Sequence, residues 1–516
     1  MTWLLALILL PLVGALVVAG MKNNDKLATV TALALSLVEL ALIVPLWASY
    51  SPSGARIQQA STMDWIPNFG IHVSFGMDGI ALVMIAVIAF LVPIVVAGLG
   101  FFDKLPAGRS AGGFLSLILL QEALTIGVFA ATDVFLFYVL FEIMLIPMYF
   151  LIGGYGGANR QYAAVKFFLY SFLGGLIMLA SAIGAYSLAS DKLGKGTFDW
   201  ATLVTVVRDA PTGTQIWLFL GFFLAFAIKA PLVPFHTWLP DAAGQAPIGV
   251  AVLLVGVLDK VGTFGFLRYC LPMFPEASKQ LAPLVLVLAV LGVVYGSTLA
   301  AGQSDMKRFI AYVSIAHFGF IALGIFSFNE QAVVGSVSYM LNHSLATGML
   351  IVVIGMIIVR GGSTRISDYG GMAKVTPLLG GMLLIAGLST LSLPGTNSFI
   401  SEFLVLLGSF ITQPVYAIIA TVGMVLAAAY VLWFYQRIMQ GPVRGDALIG
   451  VGGGPGTAIA PELGARKSIK DLGTREIAIL VPMVVLIIGL GFYPKPVLDT
   501  ITPSVQATLS SVQGGK

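Results

Sequence analysis

Residues 224–242 read LAFAIKAPLVPFHTWLPDA. Lys229 is the only charge between Ile216 and Phe235, and Pro231 and Pro234 follow it closely. An apolar run of this kind fits a bilayer whose hydrocarbon core is about 30 Å thick. A charge near the middle of such a run costs at least about 2.5–3.5 kcal/mol on insertion scales. Each proline removes a backbone donor and crowds the carbonyl four residues earlier, so the helix breaks there. In lipid the freed groups must meet water or protein. The stretch therefore predicts a discontinuous span opened around a buried cation.

The rest of the chain fits that reading. Of 516 residues, 58% are hydrophobic and 10% charged, against roughly a quarter charged in an ordinary soluble domain, and the mean hydropathy is +0.98. Fourteen apolar runs are spaced along the chain, at roughly 2–20, 27–48, 78–101, 111–131, 133–153, 162–187, 215–238, 247–271, 281–301, 308–327, 331–359, 376–410, 414–437 and 476–494. The fold class is an all-α polytopic membrane protein of about 14 transmembrane helices. The first run, MTWLLALILLPLVGALVVAG, has no basic residues before it and reads as a retained span. The single cysteine, Cys270, excludes a disulfide framework and an iron–sulfur cluster held by this chain. The net charge of +4 belongs to loops rather than to a nucleic-acid surface.

Loops carry the orientation signal. Seventeen Lys/Arg fall on one side, among them Lys22, Lys104, Arg160, Lys307, Arg365 and the loop residues Arg444, Arg466, Lys467, Lys470 and Arg475; eight fall on the other. The positive-inside rule makes the first side cytoplasmic and places both termini outside. The segment WIPNFGIHVSF, in the long connection 49–77, alternates loosely and predicts a short extended hairpin on the membrane surface. The connection 438–475 reads as a glycine-rich basic loop.

A second break repeats the first. Pro394–Gly395 interrupts the twelfth run near Glu402, 163 residues and five spans after Pro231. An odd number of spans per repeat inverts the second copy, as in many transporters. The expected units are 1–110, three helices with an external hairpin; 111–272, a first five-helix repeat; 281–438, a second, inverted five-helix repeat; and 439–516, a cytoplasmic basic loop with a final helix. Helices 7 and 12 are expected to be discontinuous.

Charges in the apolar runs define the candidate site. Glu142 is alone between Val134 and Ile152, roughly 13 Å past Asp133 at about 1.5 Å per residue. Lys229 and Lys260 are central in the seventh and eighth runs, and Glu402 is alone from Pro377 to Ile411. Amines and carboxyls in low dielectric are pulled between neutral and ionised forms, so a small change decides which holds a proton. His236, His317 and His343, in or at spans, titrate near neutrality and suit a relay. His317 and His343 fall on consecutive spans and could serve as axial haem ligands, but the spaced histidine pairs on two helices that a di-haem cytochrome needs are absent. Intramembrane charges also serve as structural ion pairs. For Asp259, turned about 100° from Lys260 on a helix, that reading stands beside the relay. Lys166, near a helix end, reads equally as a snorkelling cation. Glu39 and Glu122 lack an evident partner and read as structural carboxylates.

Six segments resemble one family. LFEIMLIPMYFLIGGYG, KAPLVPFHTWLPDA, LLVGVLDKVGTFGFLRY, SDMKRFIAYVSIAHFGF, YMLNHSLATGMLIVVIG and LSLPGTNSFISEFLVL occur in order between about 110 and 440. They are similar to the antiporter-like membrane chains of proton-pumping NADH–quinone oxidoreductase (respiratory complex I), of the chain M, or subunit-4, type. The resemblance implies a proton-translocating subunit of that enzyme, with repeats at spans 4–8 and 9–13 and breaks in spans 7 and 12. It implies that Glu142 pairs with Lys229, that Lys260 is the central relay, that His317 and His343 extend it, and that Glu402 leads to the exit. His236, Asp259 and Lys166 are further candidates. It implies no cofactor or metal in this chain, with FMN, iron–sulfur clusters and quinone in partner subunits. It also implies neighbouring antiporter-like chains L and N, and a multi-pass location in a bacterial inner membrane. A multi-chain Na+/H+ antiporter or a membrane-bound hydrogenase would share the same helices. Two positions depart from the family pattern: Ala243 stands where histidine usually follows LPDA, and Asp259 replaces an apolar residue before Lys260.

Overall fold

The computed structural model describes residues 2–448 and 469–514. Arg466 and Lys467, which carry part of the basic-loop reading, lie outside the described residues. Helices α1 (Trp3–Ala19) and α2 (Asp25–Ser49) are followed by strands β1 (Gln58–Ile66) and β2 (Ile71–Met77), then α3 (Gly79–Ala97) and α4 (Ala111–Ala130). Next come α5 (Val134–Ile143), α6 (Leu145–Tyr155), α7 (Arg160–Leu193), the short α8 (Trp200–Arg208), α9 (Thr212–Lys229) and α10 (Trp238–Gln245). One continuous stretch, Ile248–Met273, holds α11 (Ile248–Leu253), α12 (Lys260–Gly265) and α13 (Leu271–Met273), with a π-helical turn in each gap. The remainder is α14 (Pro275–Ala301), α15 (Met306–Phe326), α16 (Glu330–Gly361), α17 (Pro377–Thr390), α18 (Asn397–Thr412), α19 (Pro414–Met439), α20 (Thr474–Phe492) and α21 (Lys495–Gln513).

Twelve helices among the described residues are long and apolar enough to cross a membrane, and α1, α17 and α18 are shorter apolar helices. Their arrangement is layered. The most apolar window of Ile248–Met273 is entirely buried, and those of α15 and α3 nearly so, whereas α2, α19 and α20 bury about a third or less and turn Val44, Val425 and Val485 outward. An apolar exterior is what lipid contact requires, since the solvent around the spans is hydrocarbon. The central helices hold Lys260, His317 and His343 away from that exterior.

The hairpin expected within 49–77 is present: β1 and β2 are antiparallel, with Thr62 opposite Ser74 and Asp64 opposite His72. Gly70 turns the chain at φ 59°, and a Cβ there would lie 2.7 Å from the Gly196 carbonyl oxygen. The hairpin is fastened to the start of α5, where the His72 amide donates to Asp133 at 3.0 Å. Residues 495–513, beyond the last apolar run, form α21. It packs against α3, α13 and α16, with the Gly79 amide donating to Ser504 at 2.9 Å and Arg56 donating to Thr508. Glu39 of α2 and Glu122 of α4 are fully buried on helices that pack together, and none of their four carboxyl oxygens has a hydrogen-bond partner.

Two loop joints are built alike. Asp133 caps α5 by accepting from the Phe135 and Leu136 amides at 2.9 and 3.0 Å, and Asp305 caps α15 by accepting from Lys307 and Arg308 at the same distances. Beside the first, the Val134 amide donates to Phe198; beside the second, the Met306 amide donates to Thr364.

Candidate functional site

Both expected breaks exist. Helix α9 stops at Lys229, and the chain is non-helical until α10 begins at Trp238. The Ala230 and Leu232 amides close the end onto Phe226 and Ala227, and the Trp238 indole donates to the Ile228 carbonyl at 2.9 Å. A freed carbonyl is thus satisfied by a side chain rather than left to water. Lys229, at this C-terminal end, sits where the helix dipole favours a cation. The second break spans Leu391–Thr396 between α17 and α18. There the Leu393 amide reaches back to Leu388, as Leu232 does to Ala227.

Lys229 is fully buried and its Nζ has no hydrogen-bond partner. It stands 5.2 Å from the ring centre of Phe141 and 5.4 Å from that of Phe167. A desolvated cation–π contact is worth about 2 kcal/mol, which partly offsets burial. Glu142 lies one residue beyond Phe141, but no ion pair within 4.0 Å joins it to Lys229. The two therefore make no direct contact: two rings flank the lysine, and Glu142 and Lys229 act on each other through their charges alone. The carboxylate rests on Gly175 of α7, where a Cβ would come 1.5 Å from Oε1. Its helix is interrupted at Met144, next to Ile143, whose carbonyl is the one that Pro147, four residues later, crowds and leaves without a donor.

Lys260 begins α12 directly after the π-helical turn Leu254–Leu258 and Asp259. π-bulges recur at functional sites because they re-aim side chains within a helix. The Lys260 Nζ donates to the Val255 carbonyl at 2.5 Å and lies 2.6 Å from His343 Nδ1. The rings of His343 and His317 meet edge to face, with centres 5.1 Å apart. The His317 ring lies 5.6 Å from that of Tyr339, whose hydroxyl donates to Glu402 Oε2 at 2.9 Å. Ser392, in the second break, also donates to Glu402. It holds a left-handed φ of 62°, unusual for a serine. Asn342 and Asn397 exchange hydrogen bonds beside this point and tie α16 to the start of α18.

Lys260, His343, His317 and Glu402 thus form one buried line completed by Tyr339 and Ser392, which sequence reasoning missed. Lys229 and Glu142 form a separate cluster on the α5, α7 and α9 side. Asp259 is fully buried with neither carboxylate oxygen hydrogen-bonded. His236 lies buried within the first break, its ring 5.1 Å from that of Tyr295. Lys166 does not simply snorkel: its Nζ pairs with Asp241 at 2.7 Å, and Arg308 of α15 holds the other oxygen at 2.9 Å. That triad joins α7, α10 and α15 at one end of the bundle.

The family comparison covers this whole site. A family described as NADH:quinone oxidoreductase/Mrp antiporter, TM, matches residues 131–427, which include all nine candidates. NADH-quinone oxidoreductase subunit M of Mycobacterium tuberculosis (strain ATCC 25618 / H37Rv) is 44% identical, covering 99% of this chain and 94% of its own. The chain belongs to the subunit M family of NADH-quinone oxidoreductase. Subunit M of Rhodobacter capsulatus is 38% identical over 96% of this chain and 94% of its own. A chain of respiratory complex I from Thermus thermophilus, solved with bound NADH, superposes with a TM-score of 0.85 at 30% identity, covering 99% of each. The subunit M likeness extends past the family match to α1–α4, α20 and α21.

Proposed function

We propose that this chain is a proton-translocating membrane subunit of NADH–quinone oxidoreductase, carrying protons along its buried line while quinone is reduced in other subunits. One observation carries the reading: Lys260, His343, His317, Tyr339 and Glu402 follow one another through the bundle interior, with hydrogen bonds at both ends of the series. The Lys260–His343 contact sets an amine nitrogen against an imidazole nitrogen at hydrogen-bond distance, the geometry that proton transfer between them needs. At the far end, Glu402 accepts two hydroxyl hydrogen bonds, so a carboxylate waits where the line ends. Glu142 and Lys229 act as the switch: the charge on one decides whether the other keeps its proton. His236, Asp259 and Lys166 are further members, the last at the cytoplasmic end through Asp241.

The architecture is read as fourteen spans, counting α1, the α9–α10 pair and the α17–α18 pair as one span each. Residues 111–272 and 281–438 are read as inverted repeats, with 1–110 and 439–516 flanking them. The matching Asp133 and Asp305 joints, one on each face, support that reading. Both termini are read as facing outward from a bacterial inner membrane, and the seventeen-to-eight basic bias supports that orientation. Chains L and N are the expected neighbours, and FMN, iron–sulfur clusters and quinone belong to partner subunits.

The test is proton pumping in inverted membrane vesicles, normalised to assembled complex, for Glu142→Gln and Lys229→Ala. Both are expected to pump at a tenth of the wild-type rate or less. Normal pumping per complex in both would end the switching role. Mass spectrometry of what co-purifies with the tagged chain tests the neighbours.

A further inference from the structure

Between the Lys229 cluster and the Lys260 line there is a gap, and one buried acid faces it. Asp259 is fully buried, and neither of its carboxylate oxygens has a hydrogen-bond partner. Its position follows from helix geometry. Gly262, one turn later on the same face, packs directly on the end of α9: a Cβ there would lie 2.5 Å from the Ala230 amide nitrogen and 2.6 Å from the Phe226 carbonyl oxygen. Phe266, a further turn on, lies 6.1 Å from Phe226, ring centre to ring centre. The face bearing Asp259 is therefore the one set against the break at Lys229. Lys260, turned about 100° from it, points the other way, to His343 of α16.

We propose that Asp259 is the proton-accepting link from Lys229 to Lys260, a catalytic residue that joins the two clusters into one path. This rests on the relay reading above. In the first step a Lys229 N–H bond breaks and an O–H bond forms on the Asp259 carboxylate, leaving a neutral amine and a neutral acid. In the second, that O–H bond breaks and an N–H bond forms on Lys260 in its amine form, restoring the carboxylate. Lys260 then holds the proton it offers to His343. The charges acting on Asp259 are those of Lys260 and Lys229, and Asp259 stands ahead of Glu142 among the charges acting on Lys229. A carboxylate buried without hydrogen bonds is a poor structural brace, because it leaves its acceptors unsatisfied. Alternating between the two lysines gives it a charge-compensated state at each step.

The experiment compares Asp259→Asn, Asp259→Glu and Lys260→Ala in the assembled complex, reading protons pumped per NADH oxidised in membrane vesicles. Asp259→Asn is expected to lower pumping per complex at least tenfold, and Asp259→Glu to keep a third or more of it. Normal pumping in Asp259→Asn alongside loss in Lys260→Ala overturns the link and leaves the relay standing. Normal pumping in both defeats the relay itself. If Asp259→Asn does not assemble, Asp259→Glu decides alone: a third or more of wild-type pumping supports the link, and loss despite the retained acid overturns it.

Discussion

The Nζ of Lys260 lies 2.6 Å from Nδ1 of His343, although the two are 83 residues apart in sequence. The π-helical turn before Lys260 brings them together: that turn and α11 pack against α16, with the Ser344 hydroxyl donating to the Gly256 carbonyl. For the lysine to donate, the histidine must present an unprotonated Nδ1, so its hydrogen sits on Nε2 when neutral. A donor and an acceptor are thus pre-aligned within the most deeply buried part of the protein.

Removing the acceptor breaks the line at its centre. His343→Leu fills the space with an apolar side chain and leaves Lys260 only the Val255 carbonyl. Pumping per assembled complex is expected to fall at least tenfold, with assembly close to normal on a membrane blot. Unchanged pumping would remove His343 from the path.

Gly175 offers a test that alters position without altering charge. A Cβ at Gly175 would occupy the place of Glu142 Oε1, so Gly175→Ala must push the carboxylate aside. Alanine favours the helix over glycine by about 1 kcal/mol, so α7 itself should not weaken. Pumping is expected to drop severalfold while Glu142 remains present and charged. Gly175→Ala with wild-type pumping would mean that the seat of Glu142 is immaterial.

Tyr339→Phe removes one hydroxyl from Glu402 and preserves the ring. The lost hydrogen bond to a charged group is worth about 1.5–3 kcal/mol, a rate effect of roughly ten- to a hundredfold if it forms in the rate-limiting step. Ser392 still donates to Glu402, so partial activity is expected. Tyr339→Phe together with Ser392→Ala should be worse than either change alone, as measured by pumping per complex.

The orientation can be read by labelling. Cys270 is buried, so single added cysteines report cleanly. Ser53→Cys, beside the hairpin, is expected to react with a membrane-impermeant maleimide from outside, and Ser367→Cys, after α16, only from the cytoplasm; both positions are exposed. Reaction of both from one side would refute the inverted arrangement.

The sequence made the breaks and the deep charges legible because each contradicts its surroundings. A lysine or glutamate alone in an apolar run, or a proline in its middle, has few structural reasons to be there. His317 and His343 could be placed together because they lie on consecutive spans. Tyr339 and Ser392 were not legible: tyrosine and serine are common on apolar helices, and only packing decides which face they serve. The two phenylalanines around Lys229 were hidden for the same reason, since Phe141 and Phe167 look like ordinary core. Helix α21 escaped because KPVLDTITPSVQATLSSVQ is too polar to register as an apolar run, while its Val497, Ile501 and Val505 face is buried against the bundle.

The most direct measurement is proton translocation by Lys260→Ala, expressed as protons pumped per NADH oxidised and normalised to assembled complex. On this account Lys260 is where the path from the Lys229 side enters the His343–Glu402 line, and its Nζ makes both of its hydrogen bonds within the buried centre. With the amine gone, the ratio is expected to fall well below the wild-type value while the complex still assembles. A wild-type ratio in Lys260→Ala would contradict proton movement along this line.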